Sequence, residues 1–487
     1  MGKVKTLSLI GIFLLAIYLR LQGTLGGWFA FTYDQGRDLL DVSHMVYAKD
    51  LRLIGPTSGI EGVFHGVWWY YFIAPFLWLF QGNPVLIVAG FNVISALIVF
   101  IAYKIGRELI SARYGLILAL ITAISPFFVS TGAQLWNPNV VPLLTLLLLL
   151  SLIKYLKREW PFMSQAVFLG AIFVFAVGSG GIFLLAYILT LVIFKIIPKK
   201  KDLLSSIVGF GFWLIPAAIF ELRHNFLQTR SLIKYIKQPA SEVSPFWTRL
   251  ADRIGTVGHM FTDAFARGNR IVSFVLILLM LLGFTRILDW KKDALIDKFF
   301  RLVLILSAIL VCIAGLYPKA LWDYYLINFI PLIIPLIGWV FYLLIVRYKK
   351  LGVLTLAGWL LFMLWPTLTS QSATWKGDAS VYRNQMEVIQ AIYKKAKGEP
   401  FNVAVFSPSL IDYNYQYLFG WYGRKKYDYV PDRENVLPLA FFIIEPDQWN
   451  KGLREIWIRE REGDGVVVNK QAFESGIVLE MRERGKK

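Results

Sequence analysis

NVVPLLTLLLLLSLI, residues 139–153, runs fifteen residues without a charge, and Lys154, Lys157 and Arg158 close it. A hydrocarbon core needs about 20 mostly apolar residues per helix, somewhat fewer where flanking side chains reach the interface. The stretch therefore reads as a bilayer crossing with a basic loop at one end. The same pattern recurs outward in both directions. It predicts about eleven transmembrane helices, near 6–22, 84–103, 114–130, 139–153, 161–177, 181–197, 203–221, 271–287, 301–316, 325–346 and 351–369. Composition agrees: 57% of the 487 residues are hydrophobic and 17% charged, with a mean hydropathy of +0.56. Soluble chains rarely reach that level, because their surface must stay wet.

Charge gives the spans a direction. Basic residues gather in alternate short loops: Lys104, Arg107 and Arg113; Lys154, Lys157 and Arg158; Lys199, Lys200 and Lys201; Lys291, Lys292 and Lys298; Arg347, Lys349 and Lys350. The opposite short loops, Ser130–Asn139 and Gly178–Gly181, hold no Lys or Arg. Basic loops stay cytoplasmic, so a multi-pass plasma-membrane protein with a cytoplasmic N-terminus is expected. The net charge of +19 is then a topology signal, and no nucleic-acid partner is expected. The basic start at Lys3 and Lys5 leads into an apolar run that Arg20 closes, with no small-x-small cleavage site after it. It reads as an uncleaved first span. The single cysteine, Cys312, cannot form an internal disulfide. The four histidines are not spaced as zinc ligand pairs.

Two long segments fall outside on this topology, Leu21–Asn83 and Leu222–Arg270. Phe246, Leu250, Ile254, Val257, Phe261 and Phe265 step by three or four and predict a helix lying in the interface, with Arg249, Asp252, Arg253 and Asp263 off its apolar face. Val67–Phe80, rich in Trp and Tyr, predicts a second interfacial or re-entrant helix. After Thr369 the composition shifts. Residues 1–369 are expected to form the transmembrane domain and 370–487 a small extracytoplasmic α/β domain. There, Val381–Lys397, Asp412–Trp421 and Trp449–Arg459 read as helices, and Phe401–Phe406, Leu439–Ile444 and Gly476–Met481 as strands.

Ionisable groups at one membrane face are the best pointers to chemistry. Tyr33-Asp34-Gln35-Gly36-Arg37-Asp38 is the densest set. Asp34 and Asp38, four apart, share a helix face. One of them could act as a general base on a hydroxyl, or Arg37 could simply bridge Asp34 or Asp41. His65, in Phe64-His65-Gly66-Val67-Trp68-Trp69-Tyr70-Tyr71, could line a sugar site with Trp69 and Tyr70, or belong to an aromatic belt. Arg223 and His224, in Phe220-Glu221-Leu222-Arg223-His224, could hold a phosphate, or Arg223 could snorkel. Lys319 is the lone cation of its loop, followed by Trp322-Asp323-Tyr324-Tyr325.

In these motifs, with Gly55-Pro56-Thr57 between the first two, the chain resembles the glycosyltransferase C superfamily over nearly its whole length. Within it, the chain is similar to bacterial glycosyltransferase family 39 proteins, relatives of protein O-mannosyltransferases and lipid A aminoarabinose transferases. The resemblance implies transfer of a sugar from a polyprenyl-phosphate-linked donor to a glycan, lipid or protein acceptor at the extracytoplasmic face. It implies Asp34 as the base, with Asp38 as the second catalytic carboxylate. Arg37, Arg223, His224 and Lys319 are then donor-phosphate contacts, and His65, Trp69, Tyr70, Asp323 and Tyr324 line the sugar. Membrane lipids are the other partners. No particular cofactor is implied, and a divalent metal joining Asp34 and Asp38 is left open. Two positions depart from the pattern: Gln35 where relatives often carry Glu, and Val67-Trp68 where many carry Pro-Leu. A transporter or lipid-glycan flippase is the alternative from another class, and a non-catalytic scaffold the third. A transporter would place charges near the bilayer midplane and show repeat-related halves, and neither is legible.

Overall fold

The computed structural model describes residues 3–238, 244–289, 294–319, 321–369, 375–447 and 451–485. Among the described residues, six helices are long and apolar enough to cross a bilayer: Val4–Thr24, Pro84–Leu109, Asn137–Leu156, Lys200–Arg223, Leu295–Leu316 and Phe329–Tyr348. Two further helix pairs are bent, Ala112–Ile124 with Pro126–Ala133 by 56° and Phe246–Ala266 with Arg270–Gly283 by 97°. Met163–Phe175, Val177–Ile193 and Lys350–Trp365 are shorter apolar helices. Each segment predicted to span falls on one of these helices. Lys291 and Lys292, of the fourth basic loop, lie outside the described residues.

The chain falls into two compact units, Met1–Leu21 with Arg52–Trp69 and Phe91–Thr369, and Gln22–Leu51 with Tyr70–Gly90 and Ser370–Lys487. In the first unit, the break at Pro126 explains a charge the sequence misplaces. Proline has no N–H, so the carbonyl of Thr122 loses its helical partner. Arg20 supplies the missing donors, reaching the carbonyls of Thr122 and Ala123 at 3.4 Å each and that of Ala16 at 2.9 Å. Arg20 therefore does not close the first span at a membrane edge. It is 1% exposed inside a helix that runs on to Thr24.

The predicted helix after Phe246 is observed as Phe246–Ala266. Its buried face differs in detail from the pattern. Val257, Phe261 and Phe265 are buried as expected, but Ile254 is 55% exposed and Arg253 is 5% exposed. Arg253 turns inward because it donates to the Lys319 carbonyl at 3.3 Å. Val67–Phe80 is observed as the helix Trp68–Leu79. Between the first two spans lies a small antiparallel hairpin, β1 (Ile54–Thr57) with β2 (Phe64–Gly66). Gly66 belongs there because a Cβ would sit 2.6 Å from that of Val174.

The second unit holds a four-stranded sheet of β3 (Asn402–Phe406), β4 (Leu439–Ile444), β5 (Val466–Ala472) and β6 (Val478–Glu483), in the order β3-β4-β6-β5. β3 and β4 are parallel and the other pairs antiparallel. Every residue of β4 is buried, as expected for a central strand. The helices Tyr382–Ala396, Tyr413–Leu418 and Lys451–Glu460 match the expected alternation, though Trp449 lies outside the described residues. The sheet segment packs with residues far upstream. Phe31 N–H donates to the Ser380 carbonyl at 2.8 Å, Tyr382 N–H to that of Phe29 at 3.0 Å, and the Tyr417 hydroxyl to that of Gly82 at 2.6 Å.

Candidate active site

The acidic motif folds as the helix Tyr33–Tyr47. Its start is fixed by Gln35, whose Oε1 accepts from the Thr32 N–H at 2.8 Å and the Thr32 hydroxyl at 2.6 Å. Thr32 and Gln35 thus form a Thr-x-x-Gln capping box. Gln35, one of the two departures from the expected motif, serves the start of the helix here.

One guanidinium joins the two carboxylates. Arg37 Nη2 is 3.0 Å from Asp34 Oδ1 and 2.8 Å from Asp38 Oδ1, and Arg37 Nε donates to Asp38 Oδ1 at 3.0 Å. Burial separates their roles: the side chain of Asp34 is 36% exposed, that of Asp38 2% and that of Arg37 9%. Asp34 is the accessible carboxylate of the two. Asp38 is internal and orients Arg37. Burial works against the charge of Arg37, but Asp38 and then Asp34 outweigh it and hold its pKa above the usual value. The Tyr70 hydroxyl donates to Asp41 Oδ2 at 2.8 Å. Burial first, and then the charges of Asp38 and Asp41, raise its pKa, so it remains a phenol. Tyr70 is 1% exposed and braces the acidic helix.

The short helix Tyr413–Leu418 lies directly on this helix. A Cβ on Gly36 would stand 2.2 Å from the Asn414 backbone nitrogen, and the Tyr33 and Tyr413 rings are 5.0 Å apart. Behind it, the Tyr415 hydroxyl donates to Glu445 Oε1 at 2.9 Å. Burial, helped by the charge of Asp378, pushes the Glu445 carboxyl up to about 7 against the hydrogen bonds from Tyr415 and Ser407. A raised folded pKa means the folded state holds a proton that the unfolded state loses above its ordinary 4.5. Stability from this group is complete below 4.5 and lost as pH rises through about 7. Thermal unfolding at pH 5 and pH 8 should show a lower Tm at pH 8 for the wild type. The difference should shrink in Glu445→Gln.

In the first unit, His65 Nδ1 accepts from the Val177 N–H at 3.3 Å, which puts the proton of the neutral ring on Nε2. Its neighbour Phe64 leads to the other predicted residues. Phe64 meets Phe220 edge-on at 5.8 Å, and Phe220 stacks on His224 at 4.0 Å. His224 Nδ1 lies 2.9 Å from the Phe220 carbonyl. Arg223, at the end of the helix Lys200–Arg223, is exposed. Glu221 accepts the N–H groups of Gln228 at 2.8 Å and Thr229 at 3.0 Å, and so starts the next helix. Lys319 Nζ donates to the Tyr235 carbonyl at 2.9 Å and lies 3.3 Å over the Tyr235 ring. Trp69 is fully buried, edge-on to Phe91 and Phe175, and packs the core. Asp323 is exposed and accepts the Tyr324 N–H at 2.8 Å, while the Tyr324 ring meets Trp136 edge-on. The structure thus groups Asp34, Arg37, Asp38 and Tyr70 in one unit, and His65 with His224 through Phe64 and Phe220 in the other.

Among the described residues, no group of three or more His, Cys, Asp and Glu is placed to hold a metal ion. Asp34 and Asp38 are joined through Arg37.

Residues 65–220 match the sequence profile of the family described as dolichyl-phosphate-mannose-protein mannosyltransferase. The structure is similar to ArnT from Cupriavidus metallidurans bound to undecaprenyl phosphate, with a TM-score of 0.57 at 11% identity, over 99% of this chain and 98% of that one. It is similar to the same protein in the apo state, with a TM-score of 0.58 at 11% identity, over 96% and 97%. The Archaeoglobus fulgidus oligosaccharyltransferase in its apo form gives a TM-score of 0.50 at 14% identity, over 86% of this chain and 60% of that one. A comparison with curated protein sequences finds no match. The likeness extends along both units and fixes the fold.

Proposed function

We propose that this chain, a multi-pass membrane protein with the glycosyltransferase C fold, is a glycosyltransferase that takes its sugar from a polyprenyl-phosphate-linked donor. The observation that carries the reading is Asp34: an accessible carboxylate, fixed by Arg37, in a chain of this fold. The matched family profile and the ArnT likeness support it, since that protein was captured with undecaprenyl phosphate. A lipid-linked donor keeps its phosphate at the interface, so no nucleotide-binding domain is needed.

Asp34 takes the proton of the acceptor hydroxyl. The acceptor oxygen attacks the anomeric carbon, the bond from that carbon to the phosphate oxygen breaks, and polyprenyl phosphate leaves with the electron pair. One displacement inverts the anomeric centre. Cations stabilise the charge that builds on the leaving phosphate. This role is assigned to Arg223, which is exposed, with His224 next to it in the chain. Arg37 is committed to Asp34 and Asp38, and Lys319 to Tyr235. The acceptor is a glycan, a lipid or a protein. Reaction at the extracytoplasmic face, with the N-terminus cytoplasmic, follows from the basic loops.

Radiolabelled polyprenyl-phosphate sugars offered to the purified protein test the reading. Label should leave the lipid, and a chelator arm reports on any divalent ion. A donor that crosses a vesicle bilayer intact would support a flippase instead. Arg223→Ala should lower kcat/KM for the donor by roughly ten- to a hundred-fold, the loss of one charge-assisted hydrogen bond. Unchanged kinetics would remove Arg223 from the donor site.

A further inference from the structure

The helix Leu227–Lys237 follows the span Lys200–Arg223 after three residues, two of which, Asn225 and Phe226, have positive φ. That sharp reversal keeps the helix at the end of the span. It has no fully buried residue. Gln228, Ser231 and Tyr235 are its half-buried positions, spaced as one face. Gln228 accepts the Phe64 N–H at 3.0 Å, Ser231 lies against Gly62, and the Tyr235 hydroxyl meets that of Tyr317 at 2.6 Å. The rest of the helix circumference divides into two stripes. Leu232, Ile233 and Ile236 are 43%, 48% and 70% exposed and form an apolar stripe. Arg230, Lys234 and Lys237, all exposed, form a basic stripe beside it. The helix contains no acidic residue. Along the boundary of the two stripes runs a shallow hollow lined by Arg230, Ile233, Lys234, Lys237 and Gln238.

We propose that this helix lies in the membrane interface and binds the head groups of anionic phospholipids along its basic stripe. Three observations fit one occupant. The helix stays where a span ends. Its apolar stripe is suited to the acyl boundary, where such helices bury one face. Its three basic side chains complement a phosphate-bearing surface. A soluble protein partner would have to cover an exposed isoleucine face at the edge of a bilayer. The binding is separate from sugar transfer and does not depend on it.

The test uses the full-length purified protein. Native mass spectrometry from mixed micelles of phosphatidylglycerol and phosphatidylcholine should show phosphatidylglycerol retained by the wild type. Arg230→Gln, Lys234→Gln and Lys237→Gln should each lower that retention about fivefold. Equal retention by the variants overturns the proposal. So does a second copy of the chain, seen as a dimer that the variants dissociate. A fluorescent label at Ile236→Cys, in a Cys312→Ser background, leaves the basic stripe intact. Spin labels placed high on the lipid chains should quench it, and a label that reads bulk water also overturns the proposal.

Discussion

Asp34→Asn is expected to lower sugar transfer by about a thousandfold, within the range that general-base catalysis supplies, while the protein still folds. Asparagine keeps the shape of the side chain and an oxygen for Arg37, which lies 3.0 Å from Asp34 Oδ1. It removes only the ability to take a proton. The stability change should be small, because Asp34 is partly exposed and its interaction with the helix N-terminus is worth about 0.3–1 kcal/mol. Asp38→Asn is the informative contrast. That carboxylate is 2% exposed and paired with a buried guanidinium, and removing one partner of such a pair costs about 3–5 kcal/mol. It should lose activity together with thermal stability. Transfer rate and Tm, measured on both variants, separate the two roles. A well-folded Asp34→Asn enzyme with full activity would end the assignment of Asp34 as base.

Gly36→Ala should also abolish most transfer, by a different route. Elsewhere in a helix, Gly to Ala stabilises by about 1 kcal/mol. Here the added Cβ would meet the Asn414 nitrogen at 2.2 Å and its Cα at 2.4 Å. Both are backbone atoms and cannot swing aside. The helix Tyr413–Leu418 must lift off the acidic helix, at a cost of about 1–3 kcal/mol for the overpacking. Displacement of the base by about an ångström can cost a further hundredfold in rate. The sign of the Tm change decides the matter. A fall, with lost transfer, supports the close approach; a rise of Tm with normal transfer contradicts it.

Much of this was legible in the sequence. The spans, the basic loops and the shared face of Asp34 and Asp38 follow from local periodicity, which a single sequence carries. So does the alternation of strands and helices after residue 375. The contact of Gly36 with Asn414 does not. It joins distant segments, and the glycine looks like any other in a polar loop. Arg20 reads as the end of a span, because nothing local shows that Pro126 has left the Thr122 carbonyl without a donor. The capping signal Thr32-x-x-Gln35 is local and stands in the sequence, beside acidic residues that draw the eye first. The basic helix Leu227–Lys237 also carries a visible pattern. It is short and lies inside the segment Leu222–Arg270, where the longer apolar periodicity after Phe246 dominates the reading. β5 is not legible, because an exposed edge strand shows no buried alternation. By residue type alone Trp69 and Tyr70 read as sugar platforms, whereas both side chains are buried.

The most direct test follows the anomeric carbon itself. A polyprenyl-phosphate sugar of known configuration, labelled with carbon-13 at the anomeric position, is given to the purified protein with acceptor and watched by NMR. The phosphorus-coupled anomeric signal should decay and be replaced by a glycoside of the opposite configuration. A donor signal that never changes would contradict the transferase reading, and a product of unchanged configuration would contradict the single displacement from Asp34.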